Sequence, residues 1–467
     1  MAKSKYKPKP TWNVPANQKT DAAAPSVKPL RISQCMIVKD EEKNIERALS
    51  WGKDIMCEQI VVDTGSTDRT VEIAERMGAK VYHFAWINDF AAAKNYALEQ
   101  ATGDWIAFLD ADEYLNEETA KKLPQFLDGI RAANQKGPVV IIATLANLND
   151  SGQIFHLCAQ VRIFSNHPHL RYARAIHEDL VSISPETCPT YLDVSSTLTI
   201  FHTGYALNVR KEKNKELRNI TALRGELAKH PDDLLCKGYL AESLDASGEN
   251  PAEAEDLFRE MISIPLSEND DLRMRTLQSN AFRHLMEKYI QREQPVEDFR
   301  RLYTKATSRY PSIPDYDYYM GVRCFMENDY TQALPFFLQS EEKGNCFISN
   351  GYQSQMSELL PHLYQHISIC FEKNNDLPSA IRYAVLVLKK EPYDQQWLTS
   401  FLNVLTREDF HGTAQATMNL LGQLYDFSKL KDKLILLKCA KAIGNEPLYA
   451  LIYGKFTPEE KTWFESK

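Results

Sequence analysis

Residues 103–113 read Gly-Asp-Trp-Ile-Ala-Phe-Leu-Asp-Ala-Asp-Glu, an apolar run that ends in carboxylates. The run from Ile106 to Leu109 is short enough to be a buried strand. If the chain stays extended through Asp112, Asp110 and Asp112 point to the same side, because side chains repeat every second residue. Two such carboxylates at the end of a buried strand suit a hard divalent cation and a phosphate-bearing ligand. Taken alone, so short a pattern favours an ordinary acidic turn.

The composition is that of an ordinary globular protein with several domains. The chain has 467 residues, of which 43% are hydrophobic and 25% are charged, and this length predicts roughly three domains. A net charge of -8 argues against a nucleic-acid partner. The nine cysteines form no Cys-x-x-Cys pair and favour a reducing compartment. Neither a signal peptide nor a transmembrane segment is evident, so we expect a cytoplasmic protein.

Upstream of this stretch, predicted strands alternate with single helices. The strands are predicted at 32–38, 59–63 and 79–84. Ser66 is the predicted N-cap of the second helix, with Asp68 in its first turn, and Asp89 is the predicted N-cap of the third. The alternation predicts an α/β domain with a mostly parallel, Rossmann-like sheet. Such sheets bind ligands at the carboxyl ends of their strands.

Three predicted strands bring aspartates to that edge. Asp40, Asp63 and Asp110 each lie at the end of a different strand. Because parallel strands end at the same edge of a sheet, these carboxylates are expected to converge. This convergence makes a ligand site more probable than an acidic turn.

The chain divides into three regions by its pattern. Residues 1–30 are rich in Lys, Pro and Ala and predict a disordered tail. Residues 31–210 hold the predicted sheet. Residues 211–467 are helical, and a helix, a polar turn and an Ala-containing helix recur three times, as in tetratricopeptide (TPR) hairpins. The spacing is irregular, so extra helices are expected between these pairs, and a helical-repeat region of this kind is compatible with a homodimer.

Several motifs in order resemble the family 2 glycosyltransferases of the GT-A fold. They are Val61–Thr70, Asn88-Asp89-Phe90, Lys94-Asn95, Asp104–Glu113, His177-Glu178 and His202-Thr203-Gly204-Tyr205. The likeness covers roughly residues 31–210 and implies an inverting, metal-dependent enzyme with a nucleotide-sugar donor. Joined to the helical region, the chain resembles the sublancin-type bacterial peptide glycosyltransferases. This resemblance implies a Cys or Ser side chain of a bacteriocin-like precursor peptide as acceptor.

The resemblance also implies contacts to the donor. The expected nucleotide-sugar-binding residues are Val38, Asp40, Glu42, Asp63, Ser66, Lys94, Asp110 and Ala111. Asp63 can accept a hydrogen bond from the N–H of a uracil ring, which favours a UDP-sugar, most simply UDP-glucose; capping of the next helix is the alternative. Lys94 is expected to meet phosphate or ribose where the family often has Arg, and a solvent-facing helix Lys is the alternative.

The metal and the general base are implied in the same way. Asp112 and His202 are the expected ligands of Mn²⁺ or Mg²⁺, while Asp110 lies toward the ribose. Glu178 is the first candidate for the base that takes the acceptor's proton, and Asp179 is the second. Glu113 either assists in binding the metal directly or accepts a hydrogen bond from a residue that does.

Two other functions stay open at this point. One is transfer to a lipid-linked or polysaccharide acceptor. The other is a non-catalytic TPR interaction protein with a vestigial sugar-nucleotide domain. The presence of Asp63, Asp110, Asp112 and Glu178 favours the enzyme, because a vestigial domain is expected to lose such acids.

Overall fold

The computed structural model describes residues 29–133, 137–149, 152–203, 209–267, 269–347, 352–406 and 413–466. The predicted disordered tail lies outside these residues except for its last two positions. The chain divides into two compact units between Lys211 and Glu212. No described helix is long and apolar enough to cross a membrane.

The first unit is an α/β unit. Its strands are β1 (Ile32–Val38), β2 (Glu58–Asp63), β3 (Lys80–His83), β4 (Trp105–Phe108), β5 (Glu113–Tyr114), β6 (Val139–Leu148), β7 (Ile154–Ser165), β8 (Leu170–Ala173), β9 (Asp179–Ser182), β10 (Thr190–Asp193) and β11 (Thr199–His202). Its helices are α1 (Ile45–Ser50), α2 (Thr70–Arg76), α3 (Phe90–Gln100) and α4 (Glu117–Ala132).

The main sheet has the strand order β3-β2-β1-β4-β7-β6-β11-β5, and β10 also pairs with β6. Strands β3, β2, β1 and β4 pair in parallel with one another, in that order. Strand β7 is antiparallel to both β4 and β6, and β5 is antiparallel to β11. The predicted α/β class is confirmed, with antiparallel pairing confined to the half of the sheet beyond β4. Strands β8 and β9 form a separate antiparallel pair.

The central strand β1 explains why the predicted acids meet. It is buried along most of its length, with Cys35 and Met36 in apolar clusters on opposite faces, as expected for a parallel strand covered on both sides. Val38 at its end pairs with Asp63 of β2, and Cys35 pairs with Phe108 of β4. The residues that follow these three strands therefore emerge at one edge of the sheet.

The regular elements described in the second unit are all helices. Its helices are α5 (Val209–Lys229), α6 (Leu234–Ser247), α7 (Pro251–Ser263), α8 (Leu272–Gln291), α9 (Val296–Arg309), α10 (Pro314–Met326), α11 (Tyr330–Cys346), α12 (Met356–Lys373), α13 (Leu377–Lys390), α14 (Gln395–Leu405), α15 (Ala414–Leu421), α16 (Leu430–Ala442), α17 (Glu446–Tyr453) and α18 (Pro458–Glu465). The fold class predicted for this region, an all-α helical-repeat arrangement, is confirmed.

The three predicted hairpins are the packed pairs α6–α7, α10–α11 and α12–α13. Each pair turns through one left-handed residue, namely Gly248, Asn328 or Asn375, with φ values of 69°, 59° and 63°. Gly and Asn are the residues that tolerate this conformation most readily. Helices α8 and α9 separate the first two pairs, which accounts for the irregular spacing of the repeat.

Gly103 provides a test of how tightly β1 and β4 are joined. A Cβ atom at this position would lie 2.7 Å from the backbone nitrogen of Ser33 and 3.0 Å from the carbonyl oxygen of Arg31. Backbone atoms in a buried strand cannot move aside cheaply, so Gly103→Ala should lower the free energy of unfolding by ~1–3 kcal/mol. Gly129→Ala is the control, because a Cβ there meets no atom within 4 Å and alanine favours the helix. Equal midpoints of urea unfolding for the two variants would contradict this account.

Candidate active site

The turn after β2 is built around the carboxylate of Asp63. Its Oδ2 accepts the backbone N–H of Gly65 at 3.2 Å, and its Oδ1 accepts the N–H of Ser66 at 3.0 Å. Gly65 has a φ of 107°, which a residue with a side chain rarely adopts. Burial alone would raise the pKa of Asp63, but the hydrogen bonds from Ser66 and Gly65 outweigh burial and lower it. Asp63 is therefore an ionised hydrogen-bond acceptor at neutral pH.

Ser66 does not cap helix α2, and this prediction was wrong. The helix begins at Thr70, and Asp68 lies before it rather than in its first turn. Ser66 Oγ instead accepts the N–H of Asp40 at 2.9 Å, while Asp40 Oδ1 accepts the N–H of Thr67 at 2.7 Å. These bonds join the turns after the neighbouring strands β1 and β2. A local capping pattern does not reveal them, because the partners lie 26 and 27 residues apart.

The other donor-binding residues predicted near this edge have two kinds of environment. The side chains of Val38 and Ala111 are buried in the same apolar cluster. Glu42 is exposed, and its Oε2 accepts the N–H of Arg69 at 3.3 Å. Val38 and Ala111 thus belong to the apolar core beneath this edge of the sheet. Glu42 links the turn after β1 to the residue that precedes α2.

The acidic stretch after β4 forms a turn. Strand β4 ends at Phe108, and the N–H of Glu113 donates to the carbonyl oxygen of Asp110 at 3.0 Å. The extended geometry considered for residues 110–112 is therefore wrong. Asp110 and Asp112 contact different partners, because the chain leaves β4 and crosses to β5 beside β11.

Arg162 holds this turn, and the sequence analysis missed it. Its Nε and Nη2 donate to the two carboxylate oxygens of Glu113, each at 2.7 Å, and Nη2 also lies 3.2 Å from Asp110 Oδ2. Glu113 is 1% exposed, and its Oε2 also accepts the N–H of Asp110. Glu113 therefore stabilises the turn through the backbone of Asp110 and through Arg162. A signal was available, since Arg162 is a lone charge between the apolar residues Val161 and Ile163.

Asp110 is surrounded by positive charge. Burial alone would raise its pKa, but the charges of Lys94, Arg162 and His202 outweigh burial and lower the pKa. The Asp110 side chain is nevertheless 40% exposed. Asp110 can therefore offer one ionised carboxylate oxygen to a ligand while Arg162 binds the other oxygen, Oδ2.

Asp112 and His202, the two predicted metal ligands, lie together. Asp112 Oδ2 is 3.2 Å from His202 Nε2, close to the separation of about 3 Å between neighbouring ligands of an octahedral ion at about 2.1 Å. His202 Nδ1 lies 2.6 Å from Asn147 Oδ1. An amide oxygen there accepts the N–H of Nδ1, so Nε2 is the ring nitrogen that faces Asp112. Nε2 donates to that carboxylate when the ring is protonated, and its lone pair is available to a metal ion when the ring is neutral.

These residues fit a divalent cation that a ligand helps to hold. Among the described residues, no group of three or more His, Cys, Asp or Glu is arranged to bind a metal ion by itself. Asp112 and His202 supply two positions, so phosphate oxygens and water would supply the others. Gly204 and Tyr205, which complete the predicted His-Thr-Gly-Tyr motif, lie outside the described residues.

Glu178 and Lys94 form a buried ion pair. The Lys94 side chain is 6% exposed and its ammonium group contacts Glu178 Oε1. Lys94 also lies over the rings of Phe108 and Tyr172, at 5.3 and 5.1 Å. The alternative of a solvent-facing lysine is thus wrong. Asp179, the second candidate base, begins β9.

The loop that leads into Glu178 has strained backbone at two residues that precede it. Arg174 and His177 have φ values of 79° and 50°, which are uncommon for residues other than glycine. The carbonyl oxygen of Ala175 accepts the N–H of Phe90 at the start of α3. Strained loops persist where the surroundings hold them, and they cluster at functional sites. The Lys94–Glu178 pair, with Lys94 also on α3, is one such restraint.

Comparison with known proteins identifies the family that the α/β unit resembles. Residues 33–171 match the family model "Glycosyl transferase family 2". The predicted resemblance to this family is therefore confirmed for this segment.

Individual relatives match parts of the chain. A TPR repeat-containing protein of Synechococcus elongatus is 36% identical over 218 residues, which are 46% of this chain and 51% of the relative. The SPbeta prophage-derived glycosyltransferase SunS of Bacillus subtilis is 28% identical over 203 residues, which are 42% and 45% of the two chains. The chain thus spans about half the length of these curated relatives. The solved structure of S. aureus TarS 1–349 with UDP, 15% identical, covers 64% of this chain and 92% of its own, with a TM-score of 0.29.

The buried ion pair at the site can be tested by its effect on stability. Lys94→Met should lower the free energy of unfolding by ~3 kcal/mol, because it leaves the half-buried carboxylate of Glu178 without its partner. The double variant Lys94→Met/Glu178→Gln should recover part of that loss, since no unpaired charge remains. Lys122→Met is the control, because it breaks only the exposed pair with Glu118 and should change stability little. If the single and double variants unfold at the same urea concentration, the ion pair does not hold the loop.

Proposed function

We propose that this chain is an inverting, metal-dependent glycosyltransferase that moves glucose from UDP-glucose to a Cys or Ser side chain of a bacteriocin-like precursor peptide. The observation that supports this most is the convergence of Asp63, Asp110, Asp112 and His202 at one sheet edge, within a unit that carries a family 2 glycosyltransferase domain. A non-catalytic role is less well supported, because these acids are present and held in place by other residues.

The donor assignment rests on hydrogen-bond chemistry. Asp63 is ionised and buried, and it can only accept hydrogen bonds. The uracil ring presents an N–H donor to such an acceptor. Asp40 and Ser66 hold the neighbouring turn, and the exposed side of Asp110 is available for ribose hydroxyls. We therefore assign the nucleotide as UDP and the sugar, by the resemblance, as glucose.

The metal assignment rests on Asp112 and His202. They would hold Mn²⁺ or Mg²⁺ at the diphosphate, and the cation would neutralise the charge that develops on the departing group. Asn147 keeps the His202 ring oriented through Nδ1. Thr203 adds a backbone restraint, because its N–H donates to the carbonyl oxygen of Asp112 at 3.1 Å.

Glu178 is the proposed general base. Its carboxylate takes the proton of the acceptor thiol or hydroxyl as the sulfur or oxygen attacks the anomeric carbon. The bond from that carbon to the diphosphate oxygen breaks, and UDP leaves with the electron pair. Lys94 orients Glu178 through their ion pair. Asp179 is the alternative base.

The proposed acceptor is presented by the helical unit. This part of the proposal rests on the resemblance and on the three helical hairpins, whose type of repeat commonly binds extended peptides. The test is intact-mass analysis of candidate precursor peptides incubated with the full chain, Mn²⁺ and a panel of nucleotide sugars. A gain of one hexose with UDP-glucose supports the proposal, and blocking of peptide thiols distinguishes Cys from Ser. Transfer only to a lipid or polysaccharide acceptor would overturn the peptide assignment.

The base assignment makes a kinetic prediction. Glu178→Gln should lower the rate of transfer by about 10²–10⁴-fold, while UDP binding stays near the wild-type affinity, because Glu178 acts on the acceptor. The measurement is the single-turnover transfer rate together with calorimetric UDP binding. Asp179→Asn is the matched control and should leave the rate within a fewfold of the wild type. The reverse pattern would assign the base to Asp179.

A further inference from the structure

A β-bulge occurs at Arg162, and it changes the direction of this side chain. In the β6–β7 ladder, Ile141 pairs with Ile163 and Ile142 pairs with Val161, so Arg162 is an extra residue in β7. The packing agrees with this register. Phe164 and Val161 pack in the same apolar cluster although they are three residues apart, whereas ordinary alternation would put them on opposite faces. Bulges are frequent next to active sites, where they redirect a side chain.

The redirected guanidinium contacts two carboxylates that differ in solvent exposure. Its Nε and Nη2 bind both oxygens of Glu113, which is 1% exposed. Nη2 also contacts Oδ2 of Asp110, whose side chain stays 40% exposed. Glu113 in turn accepts the N–H of Asp110 at 3.1 Å. Asp110 is therefore held at its backbone and at one carboxylate oxygen, and the other oxygen is left for a ligand.

We propose that Arg162 is a positioning residue that separates the roles of the two aspartates. By binding Asp110 Oδ2 it keeps Asp110 directed at the donor's ribose hydroxyls and away from the cation. The cation is thereby left to Asp112 and His202. This inference rests on the proposed function, because it concerns the same donor site.

The planar fork of arginine is what this role requires. A guanidinium can bind the two oxygens of Glu113 in parallel and still reach Asp110 from the same end, whereas a lysine ammonium is a point charge without fixed directions. Arg162→Lys keeps the charge beside Glu113 and loses the geometry. The effect of this variant therefore reports on the position of Asp110 rather than on the net charge of the site.

The test is a double-mutant cycle measured by calorimetric binding of UDP to the full chain in the presence of Mn²⁺. Arg162→Lys should weaken UDP binding about tenfold or more. Asp110→Asn should also weaken it, and the double variant should bind UDP no more weakly than Asp110→Asn alone, because Arg162 acts through Asp110. Losses that multiply, or an unchanged affinity in Arg162→Lys, would overturn the inference and leave the proposed function standing.

Two controls separate positioning from general damage. Arg323→Lys alters another buried arginine, which is paired with Glu327 in the helical unit, and it should leave UDP affinity unchanged; a comparable loss there would overturn the inference. If Arg162→Lys does not fold, the paired variant Arg162→Gln/Glu113→Gln removes both buried charges and should show the same tenfold loss. Failure of the wild-type chain to bind UDP with Mn²⁺ would overturn the proposed function together with this inference.

Discussion

Parallel pairing of β1 with both β2 and β4 is the constraint on which the site depends. It brings the ends of three strands to one edge, so that Asp40, Asp63 and the turn at Asp110 meet although they are far apart in the chain. The close approach at Gly103 and the apolar faces of β1 maintain that alignment. A change in the register of β1 would separate the residues assigned to the base of the nucleotide from those assigned to its diphosphate.

The elements of the sheet could largely be predicted from the sequence, because each buried strand is a short apolar run. Strand β1 was predicted at its observed bounds, and Asp89 caps α3 through the N–H of Ala92 as expected. The details that failed depend on distant partners. Ser66 bonds to the β1 turn rather than to its own helix, and the acids after β4 turn because Arg162 and His202 come from β7 and β11.

Arg162 shows most clearly what a local pattern cannot give. Its direction is set by a bulge, and the bulge exists only in the pairing of β7 with β6. The sequence shows a lone charge between two apolar residues, but it does not show the bulge that explains this charge. The same limit applies to Lys94, whose burial depends on the strained loop that carries Glu178.

The helical unit could be predicted for a different reason. The sequence signals that define its helices are local and recur along the chain. Each hairpin needs a left-handed residue in its turn and a capping residue before its second helix. Asn250, Asp329 and Asp376 cap the second helices of the three pairs through their own side chains. Of the two helices inserted between the first pairs, α8 is capped by Asp271 in the same way, whereas α9 begins after Pro295 without a side-chain cap.

The central claim is that the sheet edge holds a uridine diphosphate together with a divalent cation. Its most direct test is a calorimetric comparison of UDP with CDP on the full chain, with Mn²⁺ and again with excess EDTA. The two nucleotides differ at the ring position that we propose to meet Asp63, where uracil donates a hydrogen bond and cytosine does not. We predict that UDP binds at least about tenfold more tightly than CDP, because cytosine would set a ring acceptor against the Asp63 carboxylate and lose a hydrogen bond to a charged group, which is worth about 1.5–3 kcal/mol. We also predict that EDTA abolishes this binding. Equal affinities for UDP and CDP, or binding that persists in EDTA, would contradict the account.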